Sequence, residues 1–282
     1  MDAKRWEKRN KLAAFALKSR HLSERFDAVW QKHCRMFGDI LRPAFEDDPA
    51  SRIMLASALE LISRGRLADS VSRLEKLKDH CDTDADFVAW YFFVGVCCEK
   101  CGFTDGALMH YGRAARLEPE FYMVYLMTAK CLHTKRMYEA ATGAYFMAMD
   151  KILSQPKKDE IPAVNQSLLL GSVHGNLANC FIMMRNFDDA EYELYEAERC
   201  GFSPPMLSLT WATLYAATGR RAQALEKMAE LKKSLARDGG VLDTARYGDN
   251  RAEKSALCPA QHRYGEDSAV LGLVLRAREA AS

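Results

Sequence analysis

The sequence predicts an all-α protein, an α-solenoid built from about five helix hairpins, and three observations support this prediction. A pattern of small and large residues recurs with a period of about 34 residues, turn-forming residues interrupt each copy near its middle, and the apolar residues inside each half follow helical spacing. Because a single hairpin of this length cannot bury its own apolar face, successive copies are expected to stack. The predicted array spans residues 51–237.

The repeat is clearest in two pairs of copies. In the first pair, four positions recur at one constant offset, namely Gly95, Ala107, Tyr111 and Ala114, then Ala129, Ala141, Tyr145 and Ala148. In the second pair they are Ala178, Ala190, Leu194 and Ala197, then Ala212, Ala224, Met228 and Leu231. A weaker first copy contains Ala58, Gly65, Ser70, Leu74 and Leu77. Small residues allow paired helices to approach, and large residues fill the space between hairpins. The copies begin near residues 51, 88, 122, 171 and 205.

The turns within the hairpins follow from the same alignment. Gly102, Arg136 and Gly219 fall where the two helices of a copy should be joined. Pro119 falls just after a predicted helix end, where proline cannot continue the helix.

Two steps between copies depart from the period. The step from the first copy to the second is three positions too long, which predicts a longer connection near Cys81 to Thr83. The step from the third copy to the fourth is fifteen positions too long, and the additional segment, at about 150–168, contains Pro156 and Pro162. Insertions in repeat arrays often form functional loops on one face. A tolerated surface loop, or lengthened helices joined by a turn, explains the insertion equally well.

The two ends of the chain differ from the array. Residues 1–50 are predicted to form a helical cap, or a degenerate hairpin, and residues 1–42 carry eleven Lys/Arg against five Asp/Glu. This basic end is either a solvated helix face or a contact surface for an acidic partner. Residues 238–282 are predicted to be an irregular tail. A short helix is predicted for residues 268–280, and such a helix could cap the array, occupy its groove or do neither.

Composition excludes several classes of protein. The formal net charge is +2, so no nucleic-acid partner is expected. No apolar run approaches the length of a membrane span, and the first residues are too charged for a secretory signal, so no membrane association is expected. Nine cysteines, an odd number, fit a reducing compartment, which predicts a cytoplasmic protein.

A cluster of three cysteines, Cys97, Cys98 and Cys101, raises the alternative of a metal or redox site. A structural zinc site requires four ligands, and no second C-x-x-C or H-x-x-x-H motif follows. The position of Cys97 in its copy is occupied by Cys131 and Cys180 in the next two copies. This recurrence favours a packing role for the thiols, and no metal or other cofactor is expected.

The period and its small and aromatic positions resemble the tetratricopeptide repeat (TPR) family over residues 51–237. The resemblance implies a right-handed superhelix whose first helices line a concave groove that binds a peptide or helical segment of a partner protein. The partner-binding residues it implies are Phe92, Met123, Leu126, Met127, Lys130, Asn176, Asn179, Leu209 and Thr213. Asn176 and Asn179 fall where similar proteins place asparagines that hydrogen-bond a ligand backbone, and Lys130 corresponds to Asn179 in the preceding copy. The alternative for the two asparagines and the lysine is ordinary solvent exposure, and the alternative for the apolar residues is packing between first helices.

The predicted function is therefore that of a noncatalytic protein-interaction scaffold. The chain contains none of the common nucleotide-binding, hydrolase or metalloprotease motifs, so an enzyme that uses the array as a scaffold is the weaker alternative. A bacterial export chaperone and a peptide-sensing regulator are narrower alternatives. Leu55 and Leu59 stand where receptors of acidic C-terminal peptides need polar residues, which disfavours that subfamily.

Overall fold

A computed structural model of the chain describes residues 43–154, 163–202 and 205–237. Over these residues the regular secondary structure is entirely α-helical, so the predicted all-α helical-repeat class is confirmed. The greater part of the predicted N-terminal cap, residues 1–42, lies outside the described residues. So do the predicted tail, residues 238–282, and its predicted helix.

Ten helices follow one another in pairs through the described residues. They are α1 (Pro49–Ser63), α2 (Leu67–Lys78), α3 (Asp84–Lys100), α4 (Thr104–Leu117), α5 (Tyr122–Thr134), α6 (Tyr138–Ser154), α7 (Ala163–Met183), α8 (Phe187–Arg199), α9 (Pro205–Ala217) and α10 (Arg221–Arg237). The first helix of each pair carries an odd number, and the second an even number.

The same turn joins the two helices of every pair. Its central residue has a positive φ, and five such residues follow the register of the copies, namely Gly65, Gly102, Arg136, Arg185 and Gly219. In each turn the next N–H donates to the carbonyl five residues earlier, as in Phe103 to Cys98 (2.8 Å) and Arg220 to Tyr215 (2.7 Å). This is the Schellman arrangement, which satisfies carbonyls at the end of a helix. The turns predicted at Gly102, Arg136 and Gly219 are confirmed.

The chain divides between Val124 and Tyr125 into two compact units. In the first unit, α1 contacts α2, α2 contacts α3, and α3 contacts α4. α3 and α4 approach each other closely at Gly95, where an added Cβ would lie 2.6 Å from Cε1 of the buried Tyr111. The small residue of the repeat is therefore needed because an aromatic ring of the second helix occupies the space beside it.

The longer connection predicted near Cys81 to Thr83 has a structural use. Thr83 begins α3 as an N-cap and forms a capping box with Asp86. The carboxylate of Asp86, which is almost completely buried, accepts backbone N–H bonds from Asp82 (3.0 Å), Thr83 (2.9 Å) and Phe45. The additional residues thus connect the segment before α1 to the start of α3.

In the second unit, α7 contacts α6, α8 and α9, and α9 contacts α8 and α10. A continuous core joins α7, α8 and α9. Its buried members include Ala178, Leu194, Trp211 and Leu214. Trp211, which is 2% exposed, donates its indole N–H to the Glu198 carboxylate of α8 at 2.8 Å. Consecutive hairpins therefore share one core, as the stacking of repeats requires.

The insertion at about 150–168 is largely accommodated by lengthened helices. In the register that aligns the fourth and fifth copies, Pro205 at the start of α9 corresponds to Gly171, whereas α7 already begins at Ala163. Near these added residues Gln166 donates its amide N–H to the carbonyl of Ile152 in α6 (2.9 Å). Residues 155–162, with both insertion prolines, lie outside the described residues.

The repeated cysteines serve packing. Cys97, Cys131 and Cys180 are at most 1% exposed, and the seven cysteines within the described ranges form no disulfide. Burial raises the pKa of the Cys97 thiol to about 12, and it does the same for the pKa of Cys180. A thiol with so high a pKa supplies little thiolate at neutral pH, so these residues act as small hydrophobes.

Candidate partner-binding surface

Two of the nine predicted partner-binding residues belong to the first unit. Phe92 is 2% exposed and packs against Phe93, Tyr111 and Phe121, with ring centroids between 5.0 and 5.8 Å apart. The prediction that Phe92 contacts a partner is corrected, because α3 is apolar around most of its circumference and its predicted groove face is buried. Met123 is partly exposed.

The remaining seven residues belong to the second unit, and six of them reach its surface. Leu126 is 8% exposed and is a core residue, so its predicted partner contact is corrected in the same way. Met127, Lys130 and Leu209 are partly exposed, and Asn176, Asn179 and Thr213 are exposed. We use the term polar face for five polar side chains on the first helices of the second unit, namely Lys130, His133, Asn176, Asn179 and Thr213.

The polar face joins two first helices through side chains. Nε2 of His133, on α5, lies 3.4 Å from Oδ1 of Asn179, on α7. The His133 ring also meets Tyr138 edge to face, with centroids 5.3 Å apart, which orients the imidazole. One side chain of α5 is therefore adjacent to a predicted partner-binding residue of α7. Neither His133 nor Tyr138 is among the nine predicted partner-binding residues.

Two other side chains of the polar face bond to their own helices. The Asn176 amide donates to the carbonyl of Ser172 at 2.8 Å, and the Thr213 hydroxyl donates to that of Leu209 at 2.8 Å. Such local bonds to a carbonyl four residues earlier are weak, and an exposed side chain can exchange them for a ligand. α9, which carries Thr213, packs against α7.

A buried contact between a histidine and a glutamate in the second unit was missed by the sequence reasoning. His174 of α7 places Nδ1 2.6 Å from Oε2 of Glu193 in α8, and both side chains are largely buried. The equivalent residues of the α3–α4 hairpin, Tyr91 and His110, also touch, with ring centroids 6.0 Å apart. The two pairs have the same sequence separation, and this recurrence is the signal that could have predicted both.

A second missed interaction links α8 to the last hairpin. Arg220 bonds both carboxylate oxygens of Glu191, at 2.8 and 3.0 Å, and its guanidinium lies 4.6 Å from the centroid of the Tyr215 ring. The hydrogen bonds with Glu191 raise the pKa of Arg220 above the usual value of an arginine. No sequence motif marks this pair, since its members are far apart along the chain, in different hairpins.

A metal site and a membrane span each place requirements on the described part of the chain. Across residues 43–154, 163–202 and 205–237, no three His, Cys, Asp or Glu side chains are grouped so that they could hold a metal ion. None of the described helices is both long and apolar enough to cross a bilayer. The surface therefore offers amide, hydroxyl, imidazole and ammonium groups beside thioether and aliphatic side chains.

Comparisons with known proteins bear on the fold. No family model matches the chain, and no curated protein sequence matches it. One similar solved structure is "MamA RS-1 ArsTM double mutant", with a TM-score of 0.52 and 10% identity, covering 72% of this chain and 98% of that one. Another is BtubC (BKLC) from P. vanneervenii, with a TM-score of 0.55 and 17% identity, covering 77% of this chain and 93% of that one. These likenesses support a helical-repeat fold over most of the chain.

Proposed function

We propose that this chain is a noncatalytic, TPR-type interaction scaffold that binds a peptide or helical segment of another protein at the polar face. The observation that carries the proposal is the approach of His133 to Asn179 at 3.4 Å. It brings two first helices together on one exposed surface, at the repeat positions where TPR-like proteins bind ligands. The TPR assignment itself rests on the repeat register of the sequence and on the hairpin turns that reproduce it.

The residues of the polar face suit a polypeptide backbone. The amides of Asn176 and Asn179 each offer a donor and an acceptor, which matches the alternating N–H and C=O groups of an extended or frayed peptide. Met127 and Leu209 add partly exposed apolar surface for the partner's side chains. Lys130 adds a positive charge, which favours an acidic or neutral segment over a basic one.

A noncatalytic role is part of this proposal. It is supported by the buried thiols, whose pKa values burial raises to about 12 in Cys97 and Cys180, away from the range useful for nucleophiles. A cytoplasmic location and independence of cofactors belong to the same proposal. They are supported by the cysteine content and by the absence of cofactor motifs in the sequence.

The test is capture of partners from native lysate with quantitative mass spectrometry. Asn176→Ala combined with Asn179→Ala should weaken a partner that bonds both amides by about 1–3 kcal/mol and leave the thermal unfolding midpoint nearly unchanged. A matched control, Asp188→Ala with Tyr192→Ala, removes two side chains that reach the surface of α8, a second helix. Loss of the same partner from both variants, or from neither, would reject the polar face as its binding site.

A further inference from the structure

The last described hairpin leaves an apolar surface open. We call this surface the terminal face; it lies between α9 and α10 and forms a groove of about 640 Å³. Its apolar side chains are Leu209, Ala212, Ala216, Ala224, Leu225 and Met228, and its edge includes Arg221 and Thr213, the second of which belongs to the polar face. Leu225 is 63% exposed and Met228 is 45% exposed, which is high for large apolar side chains that neighbour each other.

The preceding hairpin shows what kind of element covers such a face. Ala190, Leu194 and Ala197 of α8 are fully buried, and α9 contributes Leu207, Trp211 and Leu214 to the same core. Ala224, Met228 and Leu231 stand at the equivalent positions of the next copy, in α10; Leu231 is buried, whereas Ala224 and Met228 are not. A helix that presents two adjacent rows of aliphatic side chains would therefore complete the terminal face as α9 completes α8.

The sequence supplies one segment with this pattern after α10. Forty-five residues follow Arg237, and within them Ser268 to Ala280 reads SAVLGLVLRAREA. At helical spacing, Val270, Leu271, Val274 and Leu275 fall on one side, in the i, i+1, i+4, i+5 pattern of an amphipathic helix. Ala269 and Gly272 fall on the opposite side. Arg278 falls on the same side as the four aliphatic residues, at the end of the segment. The aliphatic part of this side matches the terminal face, where Arg221 is the charged member of the described lining.

The connection also favours this segment over a separate molecule. Thirty residues, 238–267, join Arg237 to Ser268, and a flexible chain of that length has a root-mean-square span of about 30 Å. Tethering over such a distance gives an effective concentration of order millimolar, far above that of a second copy in dilute solution. We infer that residues 268–280 dock on the terminal face of their own chain, with Val270, Leu271, Val274 and Leu275 against Leu225 and Met228.

The experiment uses the full chain with a photoreactive benzophenone amino acid at position 225. On irradiation, mass spectrometry should find the crosslink within the same chain, in residues 268–280. Leu271→Asp with Val274→Asp should reduce this crosslink to background, because carboxylates would be forced into an apolar contact. The matched variant, Ala269→Asp with Gly272→Asp, adds the same charge to the opposite side of the segment and should keep it.

Other outcomes would overturn the proposal. A crosslinked band of twice the chain mass would show that a second copy covers the terminal face. Crosslinks to other segments, or equal yields from the two aspartate variants, would show that residues 268–280 do not dock there. The same probe at position 192, a residue of α8 that is 61% exposed, gives the background yield. Circular dichroism checks that each variant keeps its helices.

Discussion

The α7–α8 hairpin and the α9–α10 hairpin follow one sequence pattern, yet they differ in how far that pattern is buried. Leu194 of α8 is fully buried, whereas Met228, its equivalent in α10, is 45% exposed. Ala190 is likewise fully buried, and its equivalent Ala224 is only partly so. The pattern thus specifies which side chains can be buried, and the hairpin stacked on them decides whether they are.

The comparison also separates two kinds of contact. Ala178 and Ala212, at the crossing of the two helices within each hairpin, are 0% and 5% exposed. Contacts inside a hairpin are therefore similar in both cases, and the difference arises between hairpins. Substitutions at equivalent positions of the two hairpins should differ in cost for this reason.

The largest effect is expected for the pair that differs most. Leu194→Ala should lower the free energy of unfolding by about 2–5 kcal/mol, because it leaves a cavity in the core shared by α7, α8 and α9. In a chain that also carries Leu271→Asp with Val274→Asp, which removes the proposed cover of residues 268–280, Met228→Ala should cost under about 1 kcal/mol, because much of the side chain then meets solvent. Urea unfolding followed by circular dichroism measures both. Equal costs would mean that burial in the two hairpins is the same in solution.

A smaller effect is expected where α7 meets the chain after α8. A Cβ added to Gly171 would lie 2.4 Å from Cβ of Phe202, so Gly171→Ala should cost about 1–3 kcal/mol through overpacking. Gly175, in the same helix, has ordinary space, with Leu207 Cδ1 at 3.5 Å, and serves as the control. Gly175→Ala should stabilise by up to about 1 kcal/mol through helix propensity. Thermal unfolding of each variant measures the effect. If both midpoints shifted in the same direction, the close contact between Gly171 and Phe202 would be contradicted.

The smallest effect is expected for the ion pair that connects the two hairpins. Arg220→Lys keeps the charge beside Glu191 but loses the bidentate geometry and the stacking on Tyr215, at a cost of about 0.5–1 kcal/mol. Arg199→Lys is the control, since Arg199 bonds Glu196 from a side chain that is 78% exposed. Its cost should be close to zero. Denaturant titrations of the two variants would show identical midpoints if the Glu191 pair contributed nothing.

The sequence predicted the helix pairs and their turns because one hairpin pattern was repeated five times, and each copy constrained the others. It did not predict the burial of Phe92 and Leu126, since the repeat position alone cannot tell whether a groove-facing side chain is covered by further structure. The His174–Glu193 and Arg220–Glu191 pairs were missed for a different reason. Arg220 and Glu191 stand in different hairpins that no local pattern links, and His174 and Glu193 could be matched only through the equivalent pair Tyr91 and His110 of the α3–α4 hairpin.

The hydrogen bonds of Asp86 affect how a pulling force applied before α1 is transmitted through the protein. Its carboxylate accepts the N–H of Phe45 as well as those of Asp82 and Thr83, so the chain just before α1 is bonded to the start of α3. In mechanical terms, tension applied at Pro43 would pass through this bond to α3 as well as along the backbone into α1. The first hairpin is thereby shielded from part of any pull on the N-terminal segment.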